Sequence, residues 1–171
     1  MKRNMVLVGV LAAMVCVATA FLHIPIVGGG YVHLGDTVIY LAAALLPTPY
    51  AVAAAAVGAG LADLLVAPVW APFTVIIKAV MALAFTAKKE RFLCRRNAWA
   101  ILIAGIVGVI GYYIAEVAIL WLSGGELAAV GVAALAAVPF NALQEVAGGV
   151  AFLLLAAALD RLEIKKRLTR F

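Results

Sequence analysis

Charged residues are scarce in this chain of 171 residues, at 12% of the total, whereas hydrophobic residues make up 68%. A water-soluble domain is about half apolar and about a quarter charged. The composition therefore excludes a soluble domain and indicates an all-α integral membrane protein with several crossings. Because no long polar stretch interrupts the apolar ones, we expect one membrane domain over residues 1–171 and no nucleotide-binding or catalytic domain within it.

Cysteine is also scarce, and the sequence lacks enzyme motifs. Cys16 lies within the first apolar run and Cys94 in a basic loop, so neither a disulfide nor a metal site is expected. There is no H-E-x-x-H, no G-x-S-x-G and no P-loop. We therefore expect no enzyme, no catalytic residues and no cofactor. An intramembrane enzyme that uses Asp63, Glu116 or Glu145 is an alternative without a motif to support it.

What the sequence has instead is six apolar segments, at residues 5–22, 34–46, 50–67, 70–87, 98–122 and 138–159. The first follows Lys2-Arg3 and ends near Ala18-Thr19-Ala20, which resembles a signal peptide. It is long enough to span a membrane and leads into further spans, so we interpret it as a retained helix. The second segment is short, about 20 Å as a helix.

The basic residues predict the orientation. Except for Lys78, every Lys and Arg lies in residues 2–3, 88–96 or 161–170. Six spans place all three segments on one side, which the positive-inside rule makes cytoplasmic, together with both termini. Residues 24–33, 63–70 and 123–137 then lie outside. In the first of these loops, residues 24–30 contain Pro25 and three consecutive glycines, and we expect them to move or wrap over a site. Residues 127–137 are predicted to form a short helix against the bundle.

Ionisable and amide side chains recur at one depth, in the half of each span nearer the outside. Such groups are costly in a bilayer and usually face a cavity or one another. A proton or ion pathway needs such groups through the full depth of the membrane. A blind pocket open to the outside needs them only near its own depth. The candidates for ligand binding are Asp36, Asp63, Lys78, Glu116, Asn141, Gln144 and Glu145.

The last apolar segment carries the most informative pattern. Asn141, Gln144, Glu145 and Gly148 follow the i, i+3, i+4, i+7 spacing of one helix face. Amide and carboxylate groups together suit the edge of a nitrogen heterocycle. The alternative is hydrogen bonding between helices, which contributes about 0.6 kcal/mol on average.

Lys78 has two possible roles. It either pairs with Asp63, Glu116 or Glu145, or it binds an anionic or carbonyl group of a ligand. Acids outnumber this single base, which favours a neutral or amine-bearing ligand. Tyr112 is a candidate for stacking on a flat ring. Tyr31, His33 and Asp36 are expected to face the incoming ligand from the first outer loop.

Small residues form rows on the first apolar segment. Gly9 and Ala13 form one row, and Ala12, Cys16 and Ala20 form a second. Such rows allow close approach of helices. Both rows are candidates for docking another membrane subunit.

Four stretches together resemble the substrate-binding (S) component of energy-coupling factor (ECF) transporters, in the branch that includes riboflavin-, hydroxymethylpyrimidine- and pyridoxine-type proteins. They are GYVHLGD at residues 30–36, GAGLADL at 58–64, PFTVIIK at 72–78 and PFNALQEVAG at 139–148. The resemblance covers nearly the whole chain. It implies a bacterial-type cell-membrane protein that binds a micronutrient from outside with high affinity.

The resemblance also implies partners. S components associate with a membrane coupling subunit and two ATPases that consume ATP, and small residues of the first helix contact the coupling subunit. The expected ligand is a vitamin-like or nucleobase-like nitrogen heterocycle, with pyrimidine, pyridoxine-like and deazapurine rings all open. Membrane lipid is a further partner, and nucleic acid is not expected. A stand-alone secondary transporter or channel for a small polar solute is the remaining alternative.

Overall fold

The computed structural model describes residues 2–25 and 31–169, and these are mostly helical. The helices are α1 Lys2–Ala20, α2 Gly35–Leu45, α3 Thr48–Val66, α4 Ala71–Leu83, α5 Arg95–Leu122, α6 Leu127–Ala134, α7 Val138–Arg161 and α8 Ile164–Thr169. An antiparallel hairpin of β1 His23–Pro25 and β2 Tyr31–His33 connects α1 to α2. Short 3-10 turns at Pro68–Trp70 and Leu135–Ala137 precede α4 and α7.

Helices occupy each of the six apolar segments that the sequence predicts. Among the described residues, four stretches are long and apolar enough to cross a membrane: Lys2–Ala20, Thr48–Val66, Arg95–Leu122 and Leu127–Arg161. Gly35–Leu45 and Pro68–Leu83 are apolar but shorter. The count of six crossings and the cytoplasmic position of both termini stay predictions. The short helix expected within residues 127–137 is present as α6.

Prolines set the boundaries between helices. Leu46 precedes Pro47 and has an extended backbone, with ψ of 148°, because a residue before proline avoids the helical region. Helices α3, α4 and α7 each begin with proline in their first two positions, where a missing N–H removes no helical hydrogen bond. The result is a tight turn between α2 and α3.

The fourth apolar segment ends earlier than predicted, at Leu83 rather than residue 87. Asn97 accounts for the difference, because its amide binds the chain that follows α4. Its Oδ1 accepts from Thr86 N at 2.9 Å, and its Nδ2 donates to the carbonyls of Thr86 at 3.1 Å and Phe92 at 2.9 Å. Residues 84–94 therefore form an ordered loop, which Asp160 of α7 also holds through the N–H groups of Phe92 and Leu93.

Helix α3 packs closely against α1, and this separates the two small rows of α1. A Cβ at Gly58 would lie 2.5 Å from the carbonyl oxygen of Ala12, so this position admits only glycine at the observed spacing. Ala12 and Ala20 are buried inside the bundle, which corrects their prediction as docking residues, and Cys16 between them is half-buried. Gly9 and Ala13 are exposed, so they remain candidates for docking.

Candidate ligand-binding site

Six polar side chains from the hairpin, α2, α4 and α7 meet inside the apolar bundle. We call them the buried polar cluster: His33, Asp36, Tyr40, Lys78, Gln144 and Glu145. Asp36 is 0% exposed, Lys78 1% and Glu145 5%. Gly148 lets α2 and α7 approach each other here, since a Cβ on it would lie 2.9 Å from Cβ of Asp36. Polar groups buried to this extent require partners.

An ion pair lies at the centre of the cluster. Lys78 Nζ is 2.6 Å from Asp36 Oδ1 and 3.8 Å from Glu145 Oε1. Glu145 was among the partners expected for Lys78, but the short contact to Asp36 was not predicted. The pair forms because α2 and α4 both contribute to the same layer of the bundle, an arrangement that spacing along the chain does not show.

Gln144 links the hairpin to α7 through hydrogen bonds. Its Oε1 accepts from His33 N at 2.7 Å, and its Nε2 donates to His33 O at 2.9 Å and to Asp36 Oδ2 at 2.7 Å. One acceptor and two N–H donors are thus all engaged. Gln144 is therefore placed to position the hairpin and Asp36 rather than to offer a free edge to a ligand.

His33 is buried in the cluster and not a solvated loop residue. Its Nδ1 accepts from Gly35 N at 3.1 Å, which requires a ring without a proton on that nitrogen. Burial lowers the pKa of His33 to about 4, against the opposing effect of the negative charge on Asp36. The ring is therefore neutral near pH 7. The Tyr31 side chain and residues 26–30, which include most of the expected mobile loop, lie outside the described residues.

Glu145 lies between the cluster and an apolar groove on the surface of the bundle. Its Oε2 accepts from Tyr40 OH at 2.7 Å, whereas its Oε1 makes no hydrogen bond among the described residues. The groove, about 430 Å³, lies between α5 and α7, and Glu145 is the charged residue among the described residues that line it. Its other lining residues are Ile101, Leu102, Gly105, Ile106, Val109, Ile110, Ala142 and Val146.

Asp63 and Tyr112 form an adjoining network. Thr74 Oγ1 donates to Asp63 Oδ2 at 2.5 Å and lies 3.2 Å from Tyr112 OH. Lys78 Nζ is 4.9 Å from the centre of the Tyr112 ring, within range of a cation–π interaction. The structure thus brings Asp63, Lys78 and Tyr112 together with Asp36, as candidates for one site.

Two predicted site residues lie outside these networks. Asn141 and Glu116 are half-buried, and neither makes a hydrogen bond or ion pair with another described residue. The sequence prediction also missed Tyr40, which binds Glu145. The signal for it was the i, i+4 spacing of Asp36 and Tyr40, which places both on one face of α2.

The fold matches that of a solved membrane protein. The structure described as "Structure and mechanism of the S component of a bacterial ECF transporter" aligns with a TM-score of 0.70 and 20% sequence identity, covering 94% of this chain and 97% of that one. At this identity the match shows the fold alone. None of the curated proteins compared with the chain matches it.

The family comparison shows a relationship in sequence as well as in fold. The model of the family described as "ECF-type riboflavin transporter, S component" matches residues 1–161, which is nearly the whole chain. This confirms the resemblance that the four sequence stretches indicated. Proteins of this kind are membrane-embedded subunits for vitamin transport and binding, not enzymes. The chain belongs to the ECF-type riboflavin transporter S component family.

Proposed function

We propose that this S component binds a small nitrogen heterocycle with high affinity at the buried polar cluster, from the outer side of the membrane. Membership of the family implies a substrate-binding subunit of an ECF importer for a vitamin-like substrate. A membrane coupling subunit and two ATPases complete the importer, and ATP is consumed by those partners. Both termini are cytoplasmic in this proposal, so that the hairpin faces the incoming ligand.

The observation that carries the proposal is the incomplete bonding of Glu145 and Lys78. Glu145 Oε1 is buried without a hydrogen bond, and its nearest cation, Lys78 Nζ, is 3.8 Å away. Lys78 has three N–H donors, and apart from its ion pairs its ammonium makes no hydrogen bond among the described residues. A ligand that offers an N–H to Glu145 and a carbonyl oxygen to Lys78 would satisfy both groups at once.

The groove beside Glu145 is open to the surface of the bundle, where Leu102, Ile106 and Val146 are more than half exposed. Its lining is apolar apart from Glu145, so a ligand that extends from the cluster into the groove would place a hydrocarbon edge there. Riboflavin, which gives the family its name, combines an imide N–H flanked by carbonyls with a dimethyl-substituted benzene edge. Its ring is therefore the first candidate. Pyrimidine, pyridoxine-like and deazapurine rings offer similar polar edges but less apolar surface.

Entry of the ligand requires the hairpin to move. His33, Asp36 and Gln144 are buried together, so the described conformation closes the cluster from solvent. Movement of the hairpin away from α7 breaks the hydrogen bonds between Gln144 and His33. In the proposed mechanism, ligand replaces part of this network and the hairpin closes over it.

The experiment begins with native mass spectrometry of protein purified from cells, which identifies any copurified small molecule. Riboflavin binding is then measured by quenching of its fluorescence, with pyridoxine and hydroxymethylpyrimidine as competitors. We expect a Kd below about 1 µM. Glu145→Gln keeps the size of the side chain but removes its charge, and it is expected to weaken binding about tenfold.

Glu116→Gln is the matched control, because Glu116 is another acid of the same helical bundle that lies outside the cluster. It is expected to leave the Kd within about twofold of the starting protein. Equal affinities for the Glu145 and Glu116 variants would show that the cluster is not the binding site. Binding of none of the three compounds, with no copurified molecule, would remove the proposed ligand class.

A further inference from the structure

A cavity lies at the opposite end of the bundle from the buried polar cluster. Its volume is about 490 Å³, and it is enclosed by the start of α1, the turn between α2 and α3, the loop after α4, and α8. Helix α2 connects the two sites, with Asp36 at one end and Leu45 at the other. We call it the basic cavity, and it is lined by Arg3, Asn4, Leu7, Leu45, Leu46, Pro47, Thr48, Thr86, Ala87, Lys88 and Leu168.

One part of the basic cavity is lined by polar and positively charged side chains, and another part by apolar side chains. Arg3 and Lys88 contribute two positive charges, and no Asp or Glu is among the described residues that line it. Thr48 and Thr86 add hydroxyl groups. Leu7, Leu45, Leu46 and Leu168 contribute an apolar wall. A single ligand that fits both parts has an anionic head and a hydrocarbon portion.

The position of the cavity agrees with this chemistry. It lies where α1 and α3 begin and α2 ends, which is the membrane surface at which the other basic residues are concentrated. Lipid phosphates are found at this level, and basic pockets between helices at this surface suit anionic headgroups. A free phosphate is much smaller than the cavity and leaves the leucine wall without a partner.

We propose that the basic cavity binds an anionic phospholipid. Its phosphodiester lies between Arg3 and Lys88, the threonine hydroxyls bind the phosphate or glycerol oxygens, and the first part of an acyl chain packs on the leucine wall. The bound lipid then ties the start of α1 to the loop after α4. This inference is independent of the proposed function, since no residue of the buried polar cluster takes part.

The test uses the protein in nanodiscs that contain equal amounts of phosphatidylglycerol and phosphatidylcholine. Native mass spectrometry counts the lipids retained as the protein is released. We expect selective retention of phosphatidylglycerol and about thirtyfold weaker retention in the Arg3→Gln/Lys88→Gln double variant, because each of the two basic groups contributes about 1 kcal/mol toward anionic lipid. Millimolar inorganic phosphate is expected not to displace the lipid.

The matched control is Lys89→Gln/Arg96→Gln, which removes two exposed charges near the same surface but outside the cavity. It is expected to retain phosphatidylglycerol as the starting protein does. Equal loss of phosphatidylglycerol from the two double variants would show that general surface charge retains the lipid. That result would overturn the proposal. Displacement by phosphate would show a small-anion site instead. Thermal unfolding in neutral detergent establishes that both variants are folded.

Discussion

Lys78 and Asp36 are almost completely buried and lie 2.6 Å apart. Removal of one partner leaves the other charge without compensation in an apolar surrounding, which costs about 3–5 kcal/mol. We therefore expect Lys78→Met to lower the free energy of unfolding by about that amount, measured by thermal or chemical unfolding in detergent. Asp36→Asn combined with Lys78→Met should recover part of the loss, because Glu145 is then the one buried carboxylate of the cluster without its cation.

The matched control for this prediction is Lys166→Met. Lys166 also forms an ion pair, 2.8 Å from Glu163, but both side chains are exposed. An exposed pair contributes little to stability, so this variant should unfold like the starting protein. Equal stability of the Lys78 and Lys166 variants would contradict the view that the buried pair depends on charge compensation.

His33 predicts a dependence of stability on pH. Its pKa falls from 6.5 to about 4 on burial, so the unfolded chain takes up a proton at higher pH than the folded one. The His33 contribution is complete above pH 6.5 and is lost as pH falls toward 4, by about 2 kcal/mol at pH 5. Thermal unfolding of the starting protein and His33→Asn between pH 4.5 and 7.5 measures it. Parallel curves for the two proteins would contradict this assignment.

Several residues of the candidate site were predictable from the sequence because a charged or amide side chain in an apolar helix is rare. Lys78, Gln144 and Glu145 were found in this way, and the structure places all three in the cluster. Their partners were not predictable by the same reasoning. Tyr40 sits among apolar residues and gives no signal of charge, and the bond of Gln144 to His33 joins residues 111 positions apart.

At the scale of helices, α5 and α7 meet through glycines beside Glu145. A Cβ at Gly108 would overlap the Glu145 carboxylate, whereas a Cβ at Gly105 would lie 3.6 Å from Glu145 Cβ, an ordinary contact. Gly108→Ala is therefore expected to destabilise the protein by about 1–3 kcal/mol through overpacking and to weaken ligand binding.

Gly105→Ala is the natural comparison, since it makes the same change one turn away on the same helix. It should unfold within about 0.5 kcal/mol of the starting protein and bind ligand normally. Thermal unfolding and the riboflavin titration measure both variants. If the two alanine variants behave alike, the close contact at Gly108 does not constrain the position of Glu145.

The positions of the helices were largely predictable, because six apolar runs interrupted by proline or basic residues have few other interpretations. The inner end of α4 was not. Residues 84–87 are apolar enough to continue the helix, but the side chain of Asn97 binds Thr86 and ends it. Competition of this kind depends on a side chain from another helix, so hydropathy alone does not show it.

At the scale of the whole molecule, Gly9 and Ala13 form the exposed one of the two small rows predicted to dock a partner on α1. No atom lies within 4 Å of a Cβ built on Gly9. We expect Ala13→Leu to leave ligand binding by the purified protein unchanged, because the added bulk points away from the bundle. Uptake by cells that contain the coupling subunit and ATPases should fall about tenfold or more, because the helices can no longer approach closely.

Ala98→Leu is the control, since it adds the same bulk at an exposed position of α5. Uptake and copurification with the coupling subunit should be unaffected by it. Normal uptake by the Ala13 variant would exclude this row as the docking surface. Loss of ligand binding by the purified Ala13 variant would instead indicate damage to the fold.

The sequence by itself determined that this is a helical membrane protein, where its helices lie and which residues bring charge into them. It could do so because a helix in lipid satisfies its own backbone hydrogen bonds, so hydropathy and proline nearly define its limits. The tertiary structure alone decided that Lys78 pairs with Asp36, that Gln144 holds the hairpin and that Ala12 and Ala20 face inward. Those outcomes depend on the rotation and order of packed helices, which bring together residues far apart in the chain.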